Sequence, residues 1–419
     1  MATTSQPDGQ LPHVDIKPLL SRLWPLGHPK PVTADEIAEA ISYFFTNQVS
    51  DAQASSLLIA MHFTGLDRHA DVLQKTAAAM LKAAAQVDTS QLHSVVSQRS
   101  RKEGSYNGGL CDIVGTGGDS HNTFNISTTA SILASSLLFI AKHGNKASTS
   151  KSGSADLLAN MEPLSPKISR ICPDTIAPLY AKTNYAFLFA PVFHPGMRYV
   201  APIRRQLPWR TVFNLLGPLA NPTDLPSPSG DSLLEARMIG VARKDIGPVF
   251  ADALRLAGAR KALVVCGDEE LDEISIAGDT LCWRIAPDDQ TGEPSVEHFR
   301  LHPRDFGLPS HPLSEVSPGK EPAENAAILA RILKGEMADD DPILHFVLIN
   351  TAALFVVSGI CEADTSDLGH GDDGVVITER GPGGGRWKEG VRRARWAIKS
   401  GEALRQWEAF VEVTNSFSE

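Results

Sequence analysis

From residue 110 onward, short apolar runs alternate along the chain with longer segments that have the composition of helices. The apolar runs are CDIV at 111–114, EARMIGVA at 235–242, KALVVCG at 261–267 and TLCWRIA at 280–286. Strands that alternate with helices are typical of an α/β arrangement, in which helices flank a central sheet. We therefore expect an α/β domain over 109–167 and 201–419.

The preceding part of the chain has helical patterns without strand patterns. We expect residues 13–95 to form a small all-helical domain and residues 1–12 to be a flexible extension. The segment 168–200 also looks helical, and we expect it to pack on the small domain. The polar stretch 86–108 and the Gly- and Asp-rich stretch 362–386 are expected to be surface loops.

Composition excludes several classes of protein. The 419 residues carry a formal net charge of −10, which argues against nucleic acid as a partner. Five cysteines without a CxxC pair predict reduced thiols and a cytoplasmic location. No uninterrupted apolar run reaches the about 18 residues of a membrane helix, so no membrane partner is expected. The N-terminal segment also lacks the apolar core of a secretory signal.

The segment DIVGTGGDSHNTFNISTT, residues 112–129, joins a predicted strand to a predicted helix. Its three glycines, Gly115, Gly117 and Gly118, let bare amides approach a ligand closely. Asn125, Ser127 and Thr128 are favoured N-cap residues, and the helix behind them leaves its first amides unpaired. These amides and the positive end of the helix dipole predict an anion site.

The known phosphate-binding patterns do not fit this turn. A dinucleotide fingerprint that starts at Gly115 requires glycine where Ser120 stands, and a P-loop requires Gly-Lys at 120–121. A tight strand-to-helix turn with ordinary capping is therefore the alternative.

A concentration of positive charge follows. Between residues 140 and 210 the chain has ten lysines and arginines and three acidic residues. Such a local field favours an anionic ligand, although a solvated basic face is the alternative. Arg204 could bind a planar carboxylate through both arms of its guanidinium. His194 alone would more often be structural.

The stretch GDEELDEISIAG, residues 267–278, follows a predicted strand and contains five carboxylates in six positions. Ligands of α/β proteins gather at the carboxyl ends of such strands. Adjacent acids such as Asp272 and Glu273 can hold Mg²⁺ together with substrate phosphates. A solvated acidic turn is the alternative.

Six motifs, in order, resemble the anthranilate phosphoribosyltransferase family. They are GTGGD at 115–119, NTFNIST at 122–128, KHGN at 142–145, SGSAD at 152–156, FNLLGPLANP at 213–222 and LDE at 271–273. The resemblance implies a small helical domain plus a larger α/β domain of the nucleoside phosphorylase and phosphoribosyltransferase type, usually in a homodimer. It also implies transfer of ribose 5-phosphate from phosphoribosyl pyrophosphate (PRPP) to the amine of anthranilate, with Mg²⁺, in tryptophan biosynthesis.

The resemblance also implies roles for individual residues. The residues expected to bind PRPP are Gly115, Gly118, Asp119, Thr123, Asn125, Ser127, Thr128, Lys142, Lys146 and Ser154. Those expected to bind Mg²⁺ are Ser127, Asp272 and Glu273. Those expected to line the anthranilate site are Asn145, His194, Arg204 and Gly217.

The chain departs from the family pattern at Lys146, where the family commonly has arginine. No general base is assigned, because anthranilate attacks as a neutral amine, and His143 has no assigned role. A pyrimidine nucleoside phosphorylase of the same fold is one alternative, but it would need no acidic metal pair. A non-catalytic relative that binds nucleic acid is another, and the net charge of −10 argues against it.

Overall fold

The computed structural model describes residues 11–24, 26–121, 123–147, 151–227, 230, 232–288, 291–316 and 321–418. The chain forms two compact units. The first comprises Met1–Ala85 and His194–Ala220, and the second comprises Gln86–Phe193 and Asn221–Glu419. Within the described residues, no helix has the length and apolar character that crossing a membrane requires.

The first unit is helical. Thr33 and Glu36 form a capping box that starts its second helix, and Ser50 caps the third, which ends at Gly65 with φ of 76°. The side chains of Phe44, Phe45 and Phe213 pack together inside the unit. Numbered along the chain, its α-helices are α1 (Lys17–Leu23), α2 (Ala34–Ser42), α3 (Asp51–Thr64), α4 (Ala70–Lys82), α10 (Met197–Gln206) and α11 (Phe213–Leu216).

The second unit contains a seven-stranded sheet. Its strands are β1 (Leu110–Gly115), β2 (Phe139–Gly144), β3 (Tyr185–Phe189), β4 (Leu234–Gly240), β5 (Lys261–Gly267), β6 (Thr280–Pro287) and β7 (Pro294–Leu301). The strand order is β3-β2-β1-β4-β5-β6-β7. The first five strands in this order are parallel, and β6 pairs antiparallel with both β5 and β7. The predicted fold class is confirmed.

Helices of the second unit cover the sheet. The longest, α15 (Pro342–Ser358), contacts β4 and is buried along nearly its whole length, as its apolar sequence requires. The others are α5 (Thr89–Arg99), α6 (Ile126–Ala134), α7 (Ser154–Ala159), α8 (Ile176–Tyr180), α9 (Ala190–Phe193), α12 (Gly247–Leu256), α13 (Leu313–Val316), α14 (Pro322–Leu333), α16 (Trp387–Lys399) and α17 (Glu402–Ser416).

The expected division of the chain differs from the observed one. Residues 168–193 do not belong to the helical unit, because β3 forms the edge of the sheet beside β2. Residues 201–220, expected in the α/β domain, belong to the helical unit instead. The stretch 86–108 is not merely a loop, since it contains α5, which packs on α8 in the second unit. Of the expected N-terminal extension, residues 1–10 lie outside the described residues.

Candidate active site

Four neighbouring parallel strands of the second unit end in a glycine. These are Gly115 of β1, Gly144 of β2, Gly240 of β4 and Gly267 of β5. The carboxyl ends of parallel strands lie at one edge of a sheet, and this edge is where α/β proteins bind ligands. The glycine-rich turn and the acidic stretch both start at this edge.

Asp272 lies directly against the glycine-rich turn. Its Oδ2 atom accepts a hydrogen bond of 2.7 Å from the amide of Gly117. A Cβ atom on Gly115 would lie 2.2 Å from the same oxygen, and one on Gly240 would lie 1.5 Å from the Asp272 carbonyl oxygen. Only glycine therefore fits at these two strand ends while Asp272 keeps its place.

The apolar residues on either side of the acidic pair anchor the segment that carries Asp272 in the core. Leu271 and Ile274 are fully buried. The amide of Gly267 donates to the carbonyl of Leu271 at 2.8 Å, and the amide of Ile274 donates to Oδ1 of Asn350 at 3.1 Å. The part of the acidic stretch from Leu271 to Ile274 is therefore anchored in the core, whereas Asp268 and Glu270 are exposed.

Three carboxylates meet at this turn. Burial and the charge of Asp272 raise the pKa of Asp119, and burial together with Asp272 and Asp119 raises the pKa of Glu273 well above its usual range. The main-chain amide of Ser127 donates to Glu273, whereas its buried Oε2 atom has no hydrogen-bond partner among the described residues. We expect a buried carboxylate oxygen that has no partner and lies beside two other acids to bind a cation.

The donor set fits Mg²⁺ better than a metal held by protein ligands alone. No group of three His, Cys, Asp or Glu side chains within the described ranges is arranged around a common metal position. Mg²⁺ commonly takes one or two protein carboxylates and completes its shell with water and phosphate oxygens. Asp272 and Glu273 can supply that pair.

Lys142 is the buried cation of the site. It lies on β2, is 1% exposed, and its Nζ atom donates to the carbonyl of His143 at 3.3 Å. Burial lowers the pKa of Lys142, and the charges of Asp112, Glu273 and Asp272 oppose that shift. Its ammonium therefore lies within the field of the acidic pair.

The segments around Asn125 and Ser154 are joined by side chains. Asn125 donates from Nδ2 to the carbonyl of Ser152 at 2.9 Å and accepts from the Ser152 hydroxyl at 3.0 Å. Thr128 Oγ1 donates to Ser154 Oγ at 2.7 Å. Asn125 occupies the N-cap position of α6, but its side chain makes no capping hydrogen bond. The side chain of Asn125 therefore joins the two segments instead of capping α6.

Other expected PRPP residues line the same edge. Gly118 is exposed with φ of 83°, and Thr123 and Ser127 are half-buried. Lys146 and Asn145, just beyond β2, are exposed, and the Lys146 amide donates to Oδ1 of Asn145 at 2.8 Å. The residues expected to bind PRPP and Mg²⁺ thus all belong to the second unit.

The expected anthranilate residues are divided between the units. Asn145 belongs to the second unit, and His194, Arg204 and Gly217 belong to the first. His194 is buried, and its Nε2 atom lies 3.1 Å from the carbonyl oxygen of Ala220. Burial lowers the pKa of His194 to about 4, so the ring is neutral. The Arg204 guanidinium lies 5.9 Å from the centre of the Phe213 ring.

The positive residues between 140 and 210 are divided between the two units. The arginines at 198, 204, 205 and 210 belong to the first unit, and the remaining six positive residues belong to the second. Within the second unit, Arg170 donates to the carbonyl of Phe417 at 2.7 Å and anchors the C-terminal segment. The local positive field therefore stays a prediction, since the residues counted along the sequence belong to two different units.

Sequence reasoning missed three buried polar residues. Asp112 accepts a hydrogen bond from Asn221 at 2.8 Å, and Asn325 donates to Oδ1 of Asn125 at 2.9 Å. A charge inside the apolar run CDIV was the available signal for Asp112. Asn325 gave no signal, since an asparagine in a helical segment is ordinary.

Two family models match the chain. The helical bundle domain of a glycosyl transferase family matches residues 17–84, and its a/b domain matches residues 107–404. The anthranilate phosphoribosyltransferase of Schizosaccharomyces pombe is 37% identical over 376 residues, which cover 90% of this chain and 91% of that protein.

Solved structures of the Saccharomyces cerevisiae anthranilate phosphoribosyltransferase are also similar. The complex with PRPP and Mg has a TM-score of 0.75 at 31% identity and covers 95% of this chain and 97% of that one. The complex with 4-fluoroanthranilate has a TM-score of 0.73 at 30% identity, with the same coverage.

The fold and the site define a glycosyl transferase built from a helical bundle and an α/β domain. The chain belongs to the anthranilate phosphoribosyltransferase family. The resemblance carried by the six motifs is thereby confirmed, and the chain is an enzyme of the phosphoribosyltransferase class.

Proposed function

We propose that the chain transfers the 5-phosphoribosyl group from PRPP to the amine of anthranilate. The products are N-(5-phosphoribosyl)anthranilate and pyrophosphate, and the reaction belongs to tryptophan biosynthesis. The observation that carries this proposal is the hydrogen bond between the Gly117 amide and Asp272. It supports a single site in which the glycine-rich turn and the metal-binding carboxylates act on the same diphosphate.

In this proposal the PRPP diphosphate binds over the carboxyl ends of the parallel strands. Gly115, Gly118 and the start of α6 present main-chain amides to phosphate oxygens, since the helix dipole favours an anion there. The hydroxyls of Thr123, Thr128 and Ser154 and the amide of Asn125 hold the ribose and phosphate groups. Asp119 faces the ribose hydroxyls. Lys142 and Lys146 supply positive charge.

Mg²⁺ binds through Asp272, Glu273 and the hydroxyl of Ser127. The unpartnered Oε2 atom of Glu273 supports this assignment. When bound, the ion neutralises charge on the departing pyrophosphate. The charge of Asp272, which raises the pKa values of Asp119 and Glu273, would then be compensated.

The protein's own contribution is mainly electrostatic and positional. Cleavage of the C1–O bond places positive charge on the ribose and negative charge on the pyrophosphate. Fixed amides of the glycine-rich turn stabilise the developing negative charge, and one such donor is typically worth about 10²–10³ in rate. The neutral anthranilate amine needs no general base, so its proton leaves after the new bond has formed.

Anthranilate is recognised by Asn145, His194, Arg204 and Gly217. Arg204 faces the carboxylate, because a guanidinium offers two parallel donors to a planar anion. His194 is neutral, so it adds no second charge. Its hydrogen bond to Ala220 fixes the ring so that it forms a wall of the site.

We also propose a homodimer in the cytoplasm. The cytoplasmic location is supported by the five cysteines, all of which are free. The homodimer is an expectation from the family resemblance, and sedimentation of the purified protein tests it.

The assay mixes the protein with Mg²⁺, PRPP and anthranilate and follows anthranilate fluorescence. The proposal predicts a loss of fluorescence that requires all three components and stops when the metal is chelated. Unchanged fluorescence with all components present would contradict it.

A further inference from the structure

The ladder between β1 and β2 stops short of the site. It pairs Leu110 with Phe139 and Cys111 with Ile140 and goes no further. By contrast, β1 continues to pair with β4 as far as Gly115, and β2 continues to pair with β3 as far as Gly144. The backbone groups of β2 that face this gap are buried, and such groups need other partners.

Two side chains supply those partners. Oδ1 of Asp112 accepts from the amide of His143 at 3.4 Å, and Nδ2 of Asn221 donates to the carbonyl of Ala141 at 2.8 Å. Nδ2 of Asn221 also donates to Oδ2 of Asp112 at 2.8 Å. The two side chains are 2% and 1% exposed. Together they form a polar bridge in place of the missing ladder.

The bridge has a fixed orientation. Oδ1 of Asn221 accepts from both the amide and the hydroxyl of Thr223, at 2.9 and 2.8 Å. Its Nδ2 atom must therefore face Asp112 and Ala141. Because every polar atom of this buried side-chain amide is hydrogen-bonded, Asn221 can adopt only one orientation. That orientation fixes the position of the β2 backbone at Ala141.

Lys142 lies between the two bridged residues of β2. Its ammonium is buried, and the charge of Asp112 opposes the resulting decrease in its pKa more strongly than any other charge. Asp112 thus acts on Lys142 twice, through the backbone at His143 and through its charge.

We propose that Asp112 and Asn221 are positioning residues for phosphoribosyl transfer, which hold the end of β2 so that the Lys142 ammonium lies under the PRPP diphosphate. The inference rests on the proposed function. It gives a role to two residues that are not among those expected to contact a substrate. Neither residue touches PRPP, and both act through Lys142.

The test compares Asp112→Asn, Lys142→Met and the double variant. Asn221→Ala is a further variant, which removes the other side chain of the bridge. Asp67→Asn is the matched control, because Asp67 is a buried carboxylate of the helical unit, 4% exposed. Two quantities are measured: the KM values for PRPP and anthranilate, and the free energy of unfolding without substrates.

We expect Asp112→Asn to raise the KM for PRPP by about tenfold or more, since it removes the strongest of the negative charges that act on the buried ammonium. The KM for anthranilate should stay close to that of the wild type. Asn221→Ala should act in the same direction, and Asp67→Asn should leave both constants unchanged. The unfolding cycle should show coupling, with the double variant less destabilised than the sum of the single variants.

Additive unfolding losses would overturn the inference, because Asp112 would then not act through Lys142. An unchanged KM for PRPP, or equal increases in both KM values, would also overturn it and leave the bridge as structural support only. If the wild type consumes no anthranilate, the proposed function has failed. The unfolding cycle needs no substrate and still decides whether Asp112 and Lys142 are coupled.

Discussion

The amide of Gly117 and the carboxylate of Asp272 are joined by a hydrogen bond of 2.7 Å, although 155 positions of sequence separate them. The glycine-rich turn and the acidic turn are therefore parts of one site. Separate variants of the glycine-rich turn and of the acidic turn should therefore impair the same reaction.

Replacement of Gly115 by alanine should reduce turnover without unfolding the protein. The new Cβ atom would lie 2.2 Å from Oδ2 of Asp272, so the carboxylate must turn away from the site. We expect a rate loss of about 10²-fold, comparable to the removal of one fixed electrostatic group. The measurement is the Mg²⁺ dependence of anthranilate consumption.

The control is Gly278→Ala, because a Cβ atom there would meet nothing within 4 Å, and it should behave like the wild type. Gly240→Ala should be more harmful than Gly115→Ala and should also lower the melting temperature, since its Cβ would strike the backbone of Asp272. Equal turnover and equal melting temperatures in all three variants would show that Asp272 does not pack tightly against Gly115 and Gly240.

Asp272→Asn combined with Glu273→Gln should nearly abolish Mg²⁺-dependent turnover, because the two carboxylates hold the metal in the proposed site. Asp268→Asn on the same stretch is the control. Its ion pair with Lys244 is exposed, and such pairs contribute only about 0–1 kcal/mol. Wild-type turnover in the double variant, at any Mg²⁺ concentration, would remove the metal assignment.

The metal-free protein should lose stability as the pH rises. Burial and mutual repulsion raise the pKa values of Asp119 and Glu273 above 3.8 and 4.5. The folded state therefore binds more protons than the unfolded state above pH 4.5, and this stabilising contribution disappears as the folded groups ionise. Melting temperatures in chelator at about pH 5.5 and about pH 8.5 measure the effect.

In that experiment the Asp272→Asn, Glu273→Gln variant should lose less stability than the wild type, because two of the repelling charges are gone. Added Mg²⁺ should also reduce the loss in the wild type. An identical pH dependence of wild type and variant would show that these carboxylates do not repel one another in the folded protein.

Arg204→Ala should raise the KM for anthranilate far more than the KM for PRPP, since the proposed contact is with the anthranilate carboxylate. Arg204→Lys should recover only part of the loss, because an ammonium cannot bind both carboxylate oxygens in the same way. Arg205→Ala, at the exposed neighbouring position, is the control. Equal increases in both KM values would indicate a structural arginine.

The sequence predicted the fold class, but not every strand. β2 follows α6 after a short turn, so SILASSLLFIA looks like one apolar helix, and buried parallel strands share that composition with buried helices. β3 was missed for the same reason. The passage of residues 194–220 into the helical unit also left no local signal, since domain membership depends on long-range packing.

The sequence predicted those parts of the candidate site whose chemistry depends on residues adjacent in the chain. Glycines, hydroxyls and adjacent acids indicate a diphosphate and a metal through their own properties. The roles of Asp112 and Asn221 depend on a gap in the ladder between two strands, and a gap is visible only once the strand order and register are known.

A crystal soaked with PRPP and Mg²⁺ tests the central claim most directly. The account predicts diphosphate density against the amides at Gly115–Gly118, with a metal bound by Asp272 and Glu273. Diphosphate bound away from this turn, or a metal without contact to either carboxylate, would contradict it.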